Sequence, residues 1–361
     1  VLQAGLRKNP ALDLQVEDIG VSGVTRGIDQ AELTVALSQL LELGGKRTAR
    51  VDRATLDQEL AGWDYEVARM DALTRTAQLF VALLVAQDQR TLADESVRLA
   101  RAVVGAARTR VDAGGTSPVE LTKAEVALAS AGVEREEAHR VVESARKQLA
   151  ASWGGTEPLF TRATGSLEQV AAVPPLGELQ SRIASNPDLA RWTSELAQRR
   201  AVVELEQAQA VPDVTARGGY RRLFDPDENT FVLGLSVPLP FANRNQGAIL
   251  EAQHRLDQAR ADQRTTEVRV ATALADAYQS LATARAQIVT LRNEVLPGAK
   301  EAFDTLNEGY QEGRFSYLDV LDAQRTLIAA RFQTVRALGA YHRSVAALER
   351  LVGAPIGERN G

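Results

Sequence analysis

Cysteine is absent from the 361 residues, which excludes a disulfide framework and any thiolate metal site. Met70 is the only methionine, so a soft thioether site is excluded with it. Histidine occurs at His139, His254 and His342 only, each alone on a helical pattern. A metal site needs clustered ligands, so these read as packing or surface residues and no metal site is expected. No Ser/His/Asp arrangement and no glycine-rich phosphate loop is present. The glycines of "GAARTRVDAGG" lie in a helix–turn setting rather than after a strand. An enzyme is therefore not expected, nor a cofactor. Basic blocks are missing too, and the net charge is −5, which leaves no footprint for nucleic acid. The best candidate for a spanning helix, "TAQLFVALLVAQ" at 76–87, is about a dozen uncharged residues, short of the roughly 20 that a bilayer needs. Entry into a membrane would have to be by strands. The opening "VLQAGLRKNPALDLQ" reads as the tail of an element already under way, so the native start and any targeting signal are expected upstream.

What is abundant is Ala, Leu, Val, Arg, Glu and Gln, with aromatics at 5%, a helix-rich, coiled-coil-like composition. Alternation at Leu12, Leu14 and Val16 predicts a strand over 12–19, and alternation at Ala31, Leu33, Val35 and Leu37 another over 31–43. From Gly44-Gly45 the pattern turns helical over 46–112, which at ~1.5 Å per residue would reach about 100 Å. Such a length implies a coiled coil or bundle. "DAGGTSP" breaks it, with Ser117 placed to cap and Pro118 suited to a first helical position, and a helix over 118–152 follows. Residues 155–177 are irregular and proline-bearing. The pattern then repeats as a helix over 178–210, strands over 213–222 and 230–238, a helix over 244–312 bent or interrupted at Pro297, and a helix over 316–352. The last carries apolar residues at sevens, Leu321, Ile328 and Val335, then Leu338, Val345 and Val352, which calls for neighbouring helices. The remaining 354–361 form a C-terminal tail.

The chain therefore reads as two internal repeats, 1–154 and 178–353, of strand, strand, long helix, turn and shorter helix, separated by the irregular segment 155–177. "VDAGGTSPVELTKAEVAL" at 111–128 aligns without a gap on "YQEGRFSYLDVLDAQRTL" at 310–327. Ser117 falls on Ser316, and Glu120 on Asp319. Each strand pair shows one apolar face, with Glu32, Thr34, Ser38, Thr215, Arg217 and Arg221 on the other. Apolar outside and polar inside is a transmembrane-barrel pattern, though a small sheet packed on helices would carry it as well. Four strands cannot close a barrel, and an open edge cannot sit in lipid, whereas three chains of four strands supply twelve.

On these features, above all Tyr310-x-x-Gly313 followed by Ser316-x-x-Asp319-Val320-Leu321-Asp322-Ala323, the whole chain resembles the TolC-type outer membrane factors. "VEDIG" at 16–20 and "LSQLLELGGKRTAR" at 37–50 resemble their CzcC-like, heavy-metal efflux branch. The resemblance implies a mixed α+β membrane protein of the Gram-negative outer membrane. Its homotrimer would form a twelve-stranded β-barrel, continued by a periplasmic α-helical coiled-coil barrel. It implies a passive exit duct for heavy-metal cations, working with a periplasmic adaptor (membrane fusion) protein and an inner-membrane resistance-nodulation-division pump. By the same resemblance the two turns form a periplasmic tip, where Tyr310, Asp319, Asp322 and Glu120 fall on gate positions and Gly114, Gly115, Ser117, Gly313 and Ser316 build the surface an adaptor touches. Two departures stand out. Phe315 occupies the place of the family's gate arginine, with Arg314 one residue earlier, and Val111 stands where the second repeat has Tyr310. Threefold symmetry would turn each acid into a ring that favours cations, while the same acids near a helix start also complement its dipole. A drug or organic-solvent duct of the same family, and a soluble coiled-coil scaffold, are the rival readings.

Overall fold

The computed structural model describes residues 1–20, 23, 27–225 and 227–356. Five residues between the first two expected strands, Pro226 between the last two and the end of the C-terminal tail lie outside the described residues. Strands β1 (Ala11–Glu17) and β2 (Glu32–Leu41) precede helices α1 (Lys46–Asp112) and α2 (Pro118–Ala151). Helices α3 (Leu176–Arg182) and α4 (Pro187–Gln209) lead to β3 (Val214–Leu223) and β4 (Glu228–Ser236). Helices α5 (Gln246–Thr290), α6 (Leu296–Gln311) and α7 (Tyr317–Val352) complete the chain. Among the described residues no helix is long and apolar enough to cross a membrane.

The chain divides into two compact units, and each draws on both halves of the sequence. The first, Val1–Tyr65 with Ala190–Thr266, contains one antiparallel sheet in the order β1-β2-β3-β4. Register aligns Gln15, Thr34, Arg221 and Thr230 across one face, and Leu14, Val35, Tyr220 and Phe231 across the other. The second face is apolar and open: Leu14 is 68% exposed, Phe231 87% and Leu233 85%. The polar face is tight instead, with Thr34 and Ala36 each 1% exposed. Gly219 makes that closeness possible, because a Cβ there would lie 2.6 Å from Ala36 Cβ and 2.7 Å from the Val35 carbonyl oxygen. Arg221 ties the polar face together, donating to Thr34 Oγ1 at 3.0 Å, Glu32 Oε2 at 2.6 Å and Glu17 Oε2 at 3.3 Å. β4 ends at Ser236 rather than at 238, since Pro238 has no N–H for a ladder. At the strand-to-helix junction Asp213 accepts from Lys46 Nζ at 2.5 Å and from the Leu43 N–H at 3.0 Å.

The second unit, Glu66–Leu189 with Glu267–Gly361, is helical. Its core gathers Leu83, Leu179, Leu274, Leu281, Ile288, Leu338 and Leu348. Gly339 lets α7 approach α1 closely, as a Cβ there would collide with Val85. The non-helical stretch between α2 and α3 is held by side chains. Gln87 bonds both the N–H and the carbonyl of Ala163, and Tyr341 Oη bonds both those of Ala171.

The helix expected over 178–210 is broken into α3 and α4. Asn186, which precedes Pro187, takes extended backbone (φ −62°, ψ 128°), because a residue before proline is sterically driven out of the helical region. Its fully buried side chain then caps α4, accepting from the Asp188 N–H at 2.7 Å and donating to the Leu351 carbonyl at 2.8 Å. The helix expected over 244–312 is interrupted ahead of Pro297 by a widened π-turn at Leu291–Val295, which accommodates the missing N–H.

Candidate gate at the interhelical turns

The turn from α1 to α2 needs a left-handed residue, and Gly114 supplies it at φ +69°. The Gly115 N–H then closes onto the Arg110 carbonyl at 2.8 Å. Ser117 Oγ accepts from the Val119 N–H at 3.3 Å, with Pro118 opening α2. The turn from α6 to α7 has the same build. Gly313 stands at φ +82°, and the Arg314 N–H bonds the Gly309 carbonyl at 2.7 Å. Here Ser316 and Asp319 cap reciprocally: the Ser316 N–H donates to Asp319 Oδ2 at 3.0 Å, and the Asp319 N–H to Ser316 Oγ at 3.4 Å. The Ser316 hydroxyl and N–H hold the Asp319 carboxyl below the usual carboxylate range.

The two aligned acids thus have different occupations. Asp319 is spent on its own helix start while remaining exposed. Glu120 reaches across to the other turn, where Tyr310 Oη donates to its Oε2 at 3.5 Å, a long hydrogen bond. Tyr310 is 1% exposed and is clasped from α1 by Arg110. That guanidinium donates to the Tyr310 carbonyl at 2.9 Å and lies 4.4 Å from the ring centroid, a cation–π contact. Tyr317, equally buried, meets the Tyr310 ring edge-on at 6.3 Å, and its hydroxyl has no partner among the described residues. Burial pushes both phenols up; at Tyr310 the Glu120 carboxylate adds to the effect and Arg110 opposes it, and at Tyr317 Arg325 opposes it.

Of the side chains singled out in the sequence as gate groups, the structure joins those of Tyr310 and Glu120, and those of Arg314 and Asp322 do not join them. Arg314 pairs with Glu312, and Asp322 is exposed. Phe315 folds its ring over Gly309, where a Cβ would collide with it. Arg110 was not legible as a functional residue. In sequence it is one more cation in the last turn of a helix, where it complements the dipole.

The histidines engage separate partners. His139 Nε2 lies 3.9 Å from Asp94 Oδ1, His342 Nε2 is 2.9 Å from the Leu167 carbonyl, and His254 is exposed. Among the described residues no three His, Asp or Glu side chains group as a metal site. From the turns a groove of about 950 Å³ runs along α2 and α7, lined by Val119, Val126, Glu134, Gln324, Ile328 and Arg336 among others.

The model of the family described as "Outer membrane efflux protein" matches residues 3–155 and 179–354. The cobalt-zinc-cadmium resistance protein CzcC of Cupriavidus metallidurans is 36% identical over 353 residues, spanning 98% of this chain and 83% of that one. The nickel and cobalt resistance protein CnrC of the same organism is 28% identical over 271 residues, or 74% of this chain and 64% of that one. Among solved structures the outer membrane protein VceC of Vibrio cholerae superposes with a TM-score of 0.80 at 22% identity, covering 99% of this chain and 90% of that one.

Proposed function

Because the chain belongs to the outer membrane efflux protein family, whose members are Gram-negative outer-membrane channels, we propose that it is the homotrimeric exit duct of a tripartite heavy-metal efflux system. Three chains close a twelve-stranded barrel in the membrane and assemble their helices into a tube in the periplasm. A periplasmic adaptor and an inner-membrane resistance-nodulation-division pump deliver the cargo, and the duct conducts it passively without catalysis.

The observation that carries this reading is the sheet. An apolar face as exposed as Leu14, Phe231 and Leu233 is costly in water, and β1 and β4 each keep an edge unpaired among the described residues. Lipid on one face and closure by further copies answers both. A second support comes from α2, where Val119, Val126 and Val133 recur at seven-residue spacing and are 58%, 61% and 70% exposed. A heptad stripe left open in one chain is what neighbouring helices cover. The cargo is read from the relatives, whose names specify resistance to cobalt, zinc, cadmium and nickel.

The test is complementation. Cells that retain a cobalt-zinc-cadmium pump and adaptor but lack their own duct should regain metal tolerance when this chain is expressed. Restored efflux of organic dyes without restored metal tolerance would favour the drug-duct reading. A monomer that needs no detergent to stay in solution would favour the soluble scaffold and overturn both.

A further inference from the structure

The exposed apolar ladder of β4 does not stop where the strand stops. Phe231, Leu233 and Leu235 share one face, and the same odd positions continue past Ser236 as Val237, Leu239 and Phe241, which are 46%, 68% and 80% exposed. This stretch, "VPLPF", has no strand partner, so its backbone ought to seek water. It has been relieved of part of that need. Pro238 and Pro240 have no N–H to satisfy. The Phe241 N–H bonds the Leu239 carbonyl at 2.9 Å. The Pro240 carbonyl accepts from Arg244 Nε at 3.3 Å, and the Ala242 carbonyl from Gln246 Nε2 at 3.1 Å.

Unpaired backbone is excluded from the hydrocarbon region because each unsatisfied polar group there costs several kcal/mol. A segment that removes two donors with proline, bonds the Phe241 N–H and covers the Leu239 and Pro240 carbonyls brings fewer unpaired polar groups into that solvent than an ordinary loop of five residues. The length agrees. Phe231 to Phe241 spans up to ~33 Å at ~3.3 Å per residue, or ~25 Å along the normal at a ~40° tilt, the height of the apolar band on a transmembrane barrel. Phe231 to Leu235, the part within the paired strand, gives only about 10 Å by the same arithmetic. The ladder ends in charge on both sides. Arg222, opposite Asn229, pairs with Asp227 just before Phe231, and Arg244 follows Phe241.

We propose that residues 237–241 are a lipid-immersed extension of the sheet, contacting acyl chains through Val237 and Leu239 and setting the Phe241 ring at the headgroup boundary. The partner is the bilayer itself. The inference rests on reading the sheet as the membrane-spanning part.

The absence of cysteine from these 361 residues allows a clean test. Leu239→Cys and Phe241→Cys would each carry a nitroxide label, with Leu233→Cys on the paired strand and Gln253→Cys on α5 as references. In phosphatidylcholine–phosphatidylglycerol vesicles, collision with oxygen is compared with collision with a water-soluble nickel chelate. The ratio at Leu239 should match that at Leu233 and exceed that at Gln253 severalfold, with Phe241 between them. If one labelled protein fails to match the parent's circular dichroism, Val237→Cys replaces it. A water-like ratio at Leu239 beside a lipid-like ratio at Leu233 overturns the extension and leaves the membrane reading intact. Water-like ratios at both overturn the two together.

Discussion

Tyr310 Oη donates to Glu120 Oε2 across 3.5 Å, joining the start of α2 to the end of α6, while Asp319 bonds Ser316 within its own helix. The link between the turns therefore runs through one acid of the aligned pair. A hydrogen bond of this length to a carboxylate belongs at the weak end of its range, about 1 kcal/mol, or a fewfold in a closed-to-open ratio. Glu120→Gln and Tyr310→Phe should each raise mean conductance in planar bilayers by that factor, and the double variant should do no more than either alone. Additive effects would show that the two residues act separately.

Arg110 should matter more than Arg314. The first clasps a buried ring and carbonyl, and the second pairs with Glu312 in the open. Arg110→Ala removes a cation–π contact and a charged hydrogen bond, together about 2 kcal/mol, and should lower the melting temperature and loosen the turn. Arg314→Ala should stay within about 0.5 kcal/mol of the parent, as surface pairs do. Equal losses in thermal melts would remove the distinction.

Acid should loosen the start of α7. The Asp319 carboxyl is held below its unfolded value by Ser316, so its contribution is complete above the unfolded pKa of ~3.9 and is lost as pH falls through the lower folded value. Hydrogen exchange at 316–320, corrected for intrinsic rates, should quicken in the parent over the window below about pH 4. Asp319→Asn should exchange fast throughout. A parent profile flat across that window would place the cap elsewhere.

Replacing Asp319 and Asp322 together by Asn should reduce cation preference. Both side chains are exposed at the turn end, and an aspartate carboxyl is ionised at neutral pH. Reversal potentials under a salt gradient should move toward zero, more at low ionic strength than at high, because exposed charges are screened. An unchanged potential in the double variant would reduce the acids to helix caps.

Gly219→Val should disturb assembly. Its side chain would be forced against Ala36 and the Val35 carbonyl, and overpacking of this kind costs about 1–3 kcal/mol. Fewer heat-resistant oligomers on gels are expected, whereas Gly247→Val, where a Cβ meets nothing within 4 Å, should leave them unchanged.

Much of this protein was determined by local sequence. Period-two apolar positions made the strands, long proline-free stretches made the helices, and Gly-x-x-Ser with a following acid made the turns, because each depends on neighbours a few residues apart. The helix break at Asn186-Pro187 is equally local, since the restriction acts between two adjacent residues. Tertiary structure alone decided that Glu120 and Asp319, aligned in sequence, serve different ends. Asp319 is three residues from Ser316 and finds it within a single helical turn, whereas Glu120 meets Tyr310 only because two turns 190 residues apart pack side by side. The same holds for Arg110 and Tyr310, and for Gly219 under Ala36. Their partners lie across long loops of chain, where no spacing rule reaches and only the packing of whole elements sets the distance.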